Sequence, residues 1–156
     1  MARVYKTQGT RAQGSTVRRR RAEVGSVIGI VIVAHGGLAR EYLAAVEHVV
    51  GKQTGIRAIA IAPDHDRQMK QSEICIAADE VDMGDGVVVV TDMFGGSPSN
   101  LSLRACSPQN RKILYGANLP MLIKLAKSRQ MKVEDAVVTA MEAGRKYINS
   151  FDGLPG

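Results

Sequence analysis

IGIVIVAHGG, residues 28–37, decides how the rest of the chain is read. Isoleucine, valine and alanine follow one another without a charge, and then a histidine stands on a pair of glycines. An uninterrupted apolar run rich in β-branched residues marks a strand buried on both faces of a parallel sheet. Gly36-Gly37 ends the run and permits a tight turn. From Leu38 the apolar positions switch to helical spacing. His35 is therefore expected at the carboxyl end of a first strand, just before a helix. In open α/β sheets that edge is where ligands collect.

The pattern repeats outward from this stretch. The helix after it spans 38–50, with Leu38, Tyr42, Ala45, Val46 and Val49 on one face and Gly51 as its stop. Residues 56–62 form a second strand. The turn Pro63-Asp64-His65-Asp66, rich in N-cap residues, opens a helix over 66–82. Residues 87–91, VVVVT, form a third strand, again without alternation and so central. It runs into Asp92-Met93-Phe94-Gly95-Gly96-Ser97-Pro98, where Ser97 is expected as N-cap and Pro98 as the first position of a short helix to Cys106. A fourth strand is expected at 112–116, a helix at 119–129 after Asn118, and a last helix at 133–144. Residues 145–151, RKYINSF, read as a short edge strand. The predicted fold is α/β: a single domain with a central, mostly parallel sheet of four strands, helices on both faces and right-handed crossovers, plus the C-terminal edge strand.

Length and charge narrow the function. A chain of 156 residues suits one domain with a proper core. No apolar run approaches the length of a membrane span, so no membrane insertion is expected. The net charge is +6, but seven of the 21 basic residues and one of the 15 acidic ones lie in residues 1–26, which leaves 14 of each elsewhere. The excess thus belongs to a Gly-, Ser- and Arg-containing extension, read as disordered and basic, with Arg18–Arg21 as its densest cluster. A neutral folded part without an aromatic stacking platform argues against nucleic acid as a partner. Cys75 and Cys106, far apart in sequence and each in an apolar helical context, read as buried free thiols. His35, His48 and His65 lack zinc-type spacing, so no metal is expected.

The chemistry gathers at two strand ends. The first strand ends in His35-Gly36-Gly37 and the third in Asp92, followed by Gly95-Gly96-Ser97. If these strands are neighbours, Asp92 meets His35. A carboxylate on one imidazole nitrogen fixes the tautomer, frees the other nitrogen as a nucleophile and stabilises the cationic ring formed by attack. Gly95, Gly96 and Ser97 offer backbone N–H groups and a hydroxyl to an oxyanion. Each feature alone has a plainer reading: a structural histidine, a capping aspartate, a helix start. Together, at equivalent strand ends, they point to a histidine that accepts a phosphoryl group. His48 is assigned to solvent or packing, His65 to a cap or surface role, and Met121, Met131 and Met141 to the core.

GIVIVAHGGLAREYL, VVVVTDMFGGSPSN and YGANLPML, in this order and spacing, resemble the enzyme IIA domain of the mannose family of the sugar phosphotransferase system. The resemblance covers about residues 28–150. It implies that His35 accepts phosphate from HPr, that Asp92 orients it, and that Gly95, Gly96 and Ser97 hold the phosphoryl group. It also implies a homodimer in which the C-terminal strand is exchanged onto the partner's sheet. Phe94 stands where the family often carries tryptophan, and the Arg-rich extension has no counterpart. With the chain ending at Gly156, the domain reads as a stand-alone IIA: 1–26 extension, 27–151 domain, 152–156 flexible C-terminus.

The expected function is a cytoplasmic phosphocarrier that takes a phosphoryl group from phospho-HPr on His35 and passes it to an enzyme IIB component. No cofactor is expected beyond the phosphoryl group carried covalently on His35. The alternative is a regulatory module of the same system, in which phosphorylation of His35 controls binding to a partner protein without sugar transport.

Overall fold

The computed structural model describes residues 27–107 and 110–156. The extension 1–26, read above as disordered, lies outside them. Strands β1 (Gly29–His35), β2 (Ile56–Ile61), β3 (Val87–Thr91) and β4 (Arg111–Leu114) pair in parallel, in the order β2-β1-β3-β4. Between them run α1 (Leu38–Val50), α2 (Arg67–Val81), and α3 (Ser97–Ser102) with a 3-10 turn at Leu103–Cys106. Helices α4 (Leu119–Lys127) and α5 (Val133–Lys146) follow β4.

The order explains the continuous apolar runs. β1 and β3 are the inner strands, and every residue of both is buried except His35. Ile30, Ile32 and Ala34 join Val88 and Val90 beneath α1, α4 and α5. Val31 and Val33 join Val87 and Val89 beneath α2 and α3. A two-residue period is therefore present but hidden, because both faces are covered. On the edge strand β2 it surfaces: Arg57 is exposed and pairs with Glu80 of α2 at 2.7 Å. Each fully buried isoleucine or valine contributes about 1.5–3 kcal/mol.

Close approach fixes the helices on the sheet. A Cβ on Gly29 would run into the carbonyl oxygen of Val81, the last residue of α2. At the end of the sheet away from His35, buried Arg129 gathers backbone. Its guanidinium donates to the carbonyls of Ile28 (2.7 Å), Thr54 (2.7 Å) and Gly55 (3.3 Å), and its own carbonyl accepts from Ile28 N–H. Burial lowers the pKa of this guanidinium, which has carbonyls rather than a carboxylate for partners.

Several boundaries differ from the sequence reading. α1 turns Ala39, Tyr42, Leu43, Val46 and Val50 inward, and Leu38 and Val49 lie exposed, one position round the helix from the expected stripe. Gly96, not Ser97, is the N-cap of α3, and Ser97 and Pro98 take its first two positions. β4 starts at Arg111 and stops at Leu114, ahead of the turn at Gly116 (φ +75°). α4 ends at Lys127 rather than 129.

The largest difference lies at the C-terminus. Gly144 does not end α5. It lies against Met121 of α4, its carbonyl accepts from Asn118 Nδ2 at 2.8 Å, and the helix continues through Arg145 and Lys146. Residues 148–151 form no strand within the chain, and Tyr147, Ile148 and Phe151 are 67%, 75% and 79% exposed. Met131 is exposed rather than core, whereas Met121 is buried and Met141 packs against the core. Cys75 and Cys106 are free but half-buried, and burial pushes the Cys106 thiol up to about 11.

Candidate phosphoryl-acceptor site

The β1–β3 pairing, with Val33 opposite Thr91, carries His35 and Asp92 off adjacent strand ends towards each other. One carboxylate oxygen, Asp92 Oδ2, lies 2.7 Å from His35 Nδ1 and accepts the His35 backbone N–H at 2.9 Å. The other, Oδ1, accepts Met93 N–H at 3.0 Å. Burial alone would raise the Asp92 pKa. The bonds from the His35 backbone and ring outweigh it, with Met93 N–H adding to them, and hold the carboxyl below its usual range. Asp92 is therefore an anion near neutral pH and can only accept. Nδ1 bears the proton, and the Nε2 lone pair is left for an electrophile. The His35 side chain is 48% exposed.

The glycines of GGSP differ in role. Gly95 has φ +80°, a conformation that L side chains rarely adopt. Its N–H donates to Ser99 Oγ at 3.1 Å, and that hydroxyl donates to the Gly96 carbonyl at 2.9 Å, which closes the loop on itself. Gly96 has ordinary extended dihedrals (φ −79°, ψ 171°). Its reason to be glycine is proximity: a Cβ there would lie 3.0 Å from His35 Cε1 and 3.5 Å from Nε2. Ser97 shares with His35 the wall of an open cleft of about 250 Å³. The five predicted site residues thus meet at one end of the sheet.

Two further side chains belong to this end. Tyr42 of α1 donates its hydroxyl to Ala117 O at 2.9 Å, and Ala117 N–H donates to Thr91 O at 3.1 Å. The loop before α4 is thereby tied to β3 one residue ahead of Asp92. Burial, and then the Asp92 charge, raise the Tyr42 pKa. Asn118 caps α4 by accepting Met121 N–H at 3.0 Å. The second side chain is His65, which lines the cleft beside His35 and Ser97. The sequence alone assigns it a cap or surface role. Only the β1–β2 register, with His35 opposite Ile61, shows that the loop after β2 rises beside the site. His48 is exposed near the opposite end of α1. Beyond Asp92, Met93 and Phe94 are 54% and 76% exposed, and the Phe94 ring stands edge-on to Tyr115 at 5.0 Å. Among the described residues no helix is long and apolar enough to cross a membrane.

The family EIIA-man, described as "PTS system fructose IIA component", matches residues 29–142. The mannose-specific EIIAB component of the PTS system of Escherichia coli (strain K12) is 27% identical over 131 residues, 82% of this chain. The match spans only 41% of that relative's length. The sorbose-specific EIIA component of Lacticaseibacillus casei is 26% identical over 123 residues, covering 78% of this chain and 88% of the relative. Among solved structures, a PTS IIA protein associated with the fucose utilization operon of Streptococcus pneumoniae superposes with a TM-score of 0.70 at 28% identity, over 81% of this chain and 96% of that one.

Proposed function

We propose, from the premise that this chain belongs to the EIIA-man family of PTS IIA components, that it carries a phosphoryl group on His35 Nε2 in sugar phosphotransfer. The observation that carries the reading is the 2.7 Å contact between His35 Nδ1 and Asp92 Oδ2. The donor is phospho-HPr and the acceptor an enzyme IIB component, both in the cytoplasm. The Nε2 lone pair attacks phosphorus, the P–N bond of the donor breaks, and the donor imidazole departs with the electron pair. The His35 ring becomes cationic while its proton stays on Nδ1, where the Asp92 carboxylate stabilises it. Gly96 leaves room beside Nε2 for the incoming group, and Ser97 offers its hydroxyl to a phosphoryl oxygen. The rest of the catalysis is positioning, as in other phosphoryl transfers. No resident cofactor enters, only the phosphoryl group in transit.

The test is incubation with enzyme I, HPr and phosphoenolpyruvate, followed by intact-mass measurement under alkaline conditions, where phosphohistidine survives. The wild-type chain gains one phosphoryl group. His35→Ala gains none and keeps its fold, because the lost side chain is half-exposed at a strand end. A variant that still takes the label, on His48 or His65, overturns the assignment.

A further inference from the structure

His65 is a second imidazole in the cleft that holds His35 and Ser97. Its placement follows from the sheet. Ile61, the last residue of β2, is opposite His35, and the Gly36 N–H donates to the Ile61 carbonyl at 2.9 Å. The loop from Ala62 therefore leaves the sheet beside the turn that carries His35. Within that loop the Ala62 carbonyl holds His65 twice, through its backbone N–H at 3.3 Å and its ring Nδ1 at 2.8 Å. A carbonyl only accepts, so Nδ1 carries a proton. The remaining nitrogen, Nε2, makes no hydrogen bond among the described residues and is either a bare lone pair or, in the imidazolium, a donor.

We propose that His65 is a phosphoryl-binding residue: as the imidazolium it donates Nε2–H to an oxygen of the phosphoryl group on His35. This rests on the reading of His35 as acceptor. The free protein does not require the charge, because His35 is neutral when it attacks. The phosphorylated protein does, because a dianionic group then stands in the cleft. His65 forms no covalent bond and takes its proton from solvent, so phosphorylation of His35 is coupled to proton uptake. Among the described residues the titratable side chains on the cleft wall are the two imidazoles. Asp64 and Asp66 flank His65 on its loop, but Asp66 is turned onto Met69 N–H as the cap of α2, and Asp92 is bound to His35 Nδ1. A charge-assisted hydrogen bond of this kind changes an equilibrium by about ten-fold or more.

The experiment follows the equilibrium between phospho-HPr and this chain from pH 5.5 to pH 8.5, and the NMR titration of the His65 ring with and without phosphate on His35. In the wild type the phosphorylated fraction falls as pH rises through the imidazole range, and the His65 titration midpoint is higher in the phosphorylated protein. His65→Ala lowers the equilibrium by about ten-fold at pH 6 and flattens the profile. His65→Gln, which keeps a neutral donor, restores part of the affinity and none of the pH dependence. If both variants match the wild type in equilibrium and profile, or the midpoint does not move, the inference fails while His35 stands. If the wild type takes no phosphate, the reading of His35 fails and this inference with it.

Discussion

Gly96→Ala separates the reaction from the fold. The backbone at Gly96 is extended, so alanine adopts it without strain. The difficulty is the ring beside it. An added Cβ would lie 3.0 Å from His35 Cε1 and 3.3 Å from Met93 Cγ, and must open a gap of a few tenths of an ångström. The ring cannot yield freely, because Asp92 grips its Nδ1 at 2.7 Å. The methyl also stands 3.5 Å from Nε2, in the space that the proposed transfer needs for the phosphoryl group. Misplacement of a reacting atom by 1 Å costs about 100-fold in rate, so a smaller displacement combined with crowding gives a loss of about 10- to 100-fold. Stability moves little, by about 1 kcal/mol or less in either direction, since alanine also restricts the unfolded chain. Gly95→Ala is the control. None of the described residues lies within 4 Å of its added Cβ, but φ is +80°, so stability falls by about 1–2 kcal/mol and transfer suffers less. Rapid-quench transfer from phospho-HPr, with thermal melts of both variants, checks the pair. Gly96→Ala at wild-type rate would refute the argument, as would a collapse in its melting temperature.

Asp92→Asn slows transfer without abolishing it, since an amide can accept a bond at Nδ1 but cannot neutralise the imidazolium; a rate equal to wild type removes Asp92 from the mechanism. The same variant tests linkage. Asp92 titrates lower in the folded chain than in the unfolded one, so its stabilisation is present above the unfolded value and is lost as pH falls through the folded one. The stability gap between wild type and Asp92→Asn therefore closes in acid, measurable by denaturant titration from pH 7 to pH 2. Arg129→Ala leaves buried carbonyls at Ile28, Thr54 and Gly55 without their donor and costs on the order of 3 kcal/mol, with His35 phosphorylation retained below the new melting point. Truncation after Tyr147 converts a homodimer to monomers in sedimentation, if residues 148–151 are exchanged onto the free edge of β4. A full-length monomer at micromolar concentration, or a truncated dimer of unchanged stability, counts against the exchange.

The inner strands were legible because burial on both faces leaves a residue pattern that nothing else in the chain imitates: GIVIVA and VVVV came out as β1 and β3. His35 and Asp92 were legible with them, since a strand's end is marked by where its apolar run stops. Gly144 and Gly96 misled for one reason. The sequence reading ends a helix at the first and puts the N-cap one residue past the second, whereas the use of glycine at both is close contact, with Met121 and with the His35 ring. Contacts of that kind join residues distant in sequence and leave no local period. The place of His65 beside this site is hidden in the sequence for the same reason. Its neighbours, His35 and Ser97, are 30 and 32 positions away, and only the strand order brings the three loops together.

One oxygen of Asp92 serves two donors on the same residue, the ring and the main-chain N–H of His35. The amide is thus wired to the electronic state of the imidazole through a single atom. When the ring becomes cationic, the shared oxygen is drawn towards Nδ1 and its hold on the amide proton changes. The backbone resonance of residue 35 then registers events at Nε2, on the far side of the ring. If His35 carries the phosphoryl group as proposed, a nitrogen-15-labelled chain holds its own gauge of phosphoryl occupancy, readable in solution without attaching a probe to the reacting atom.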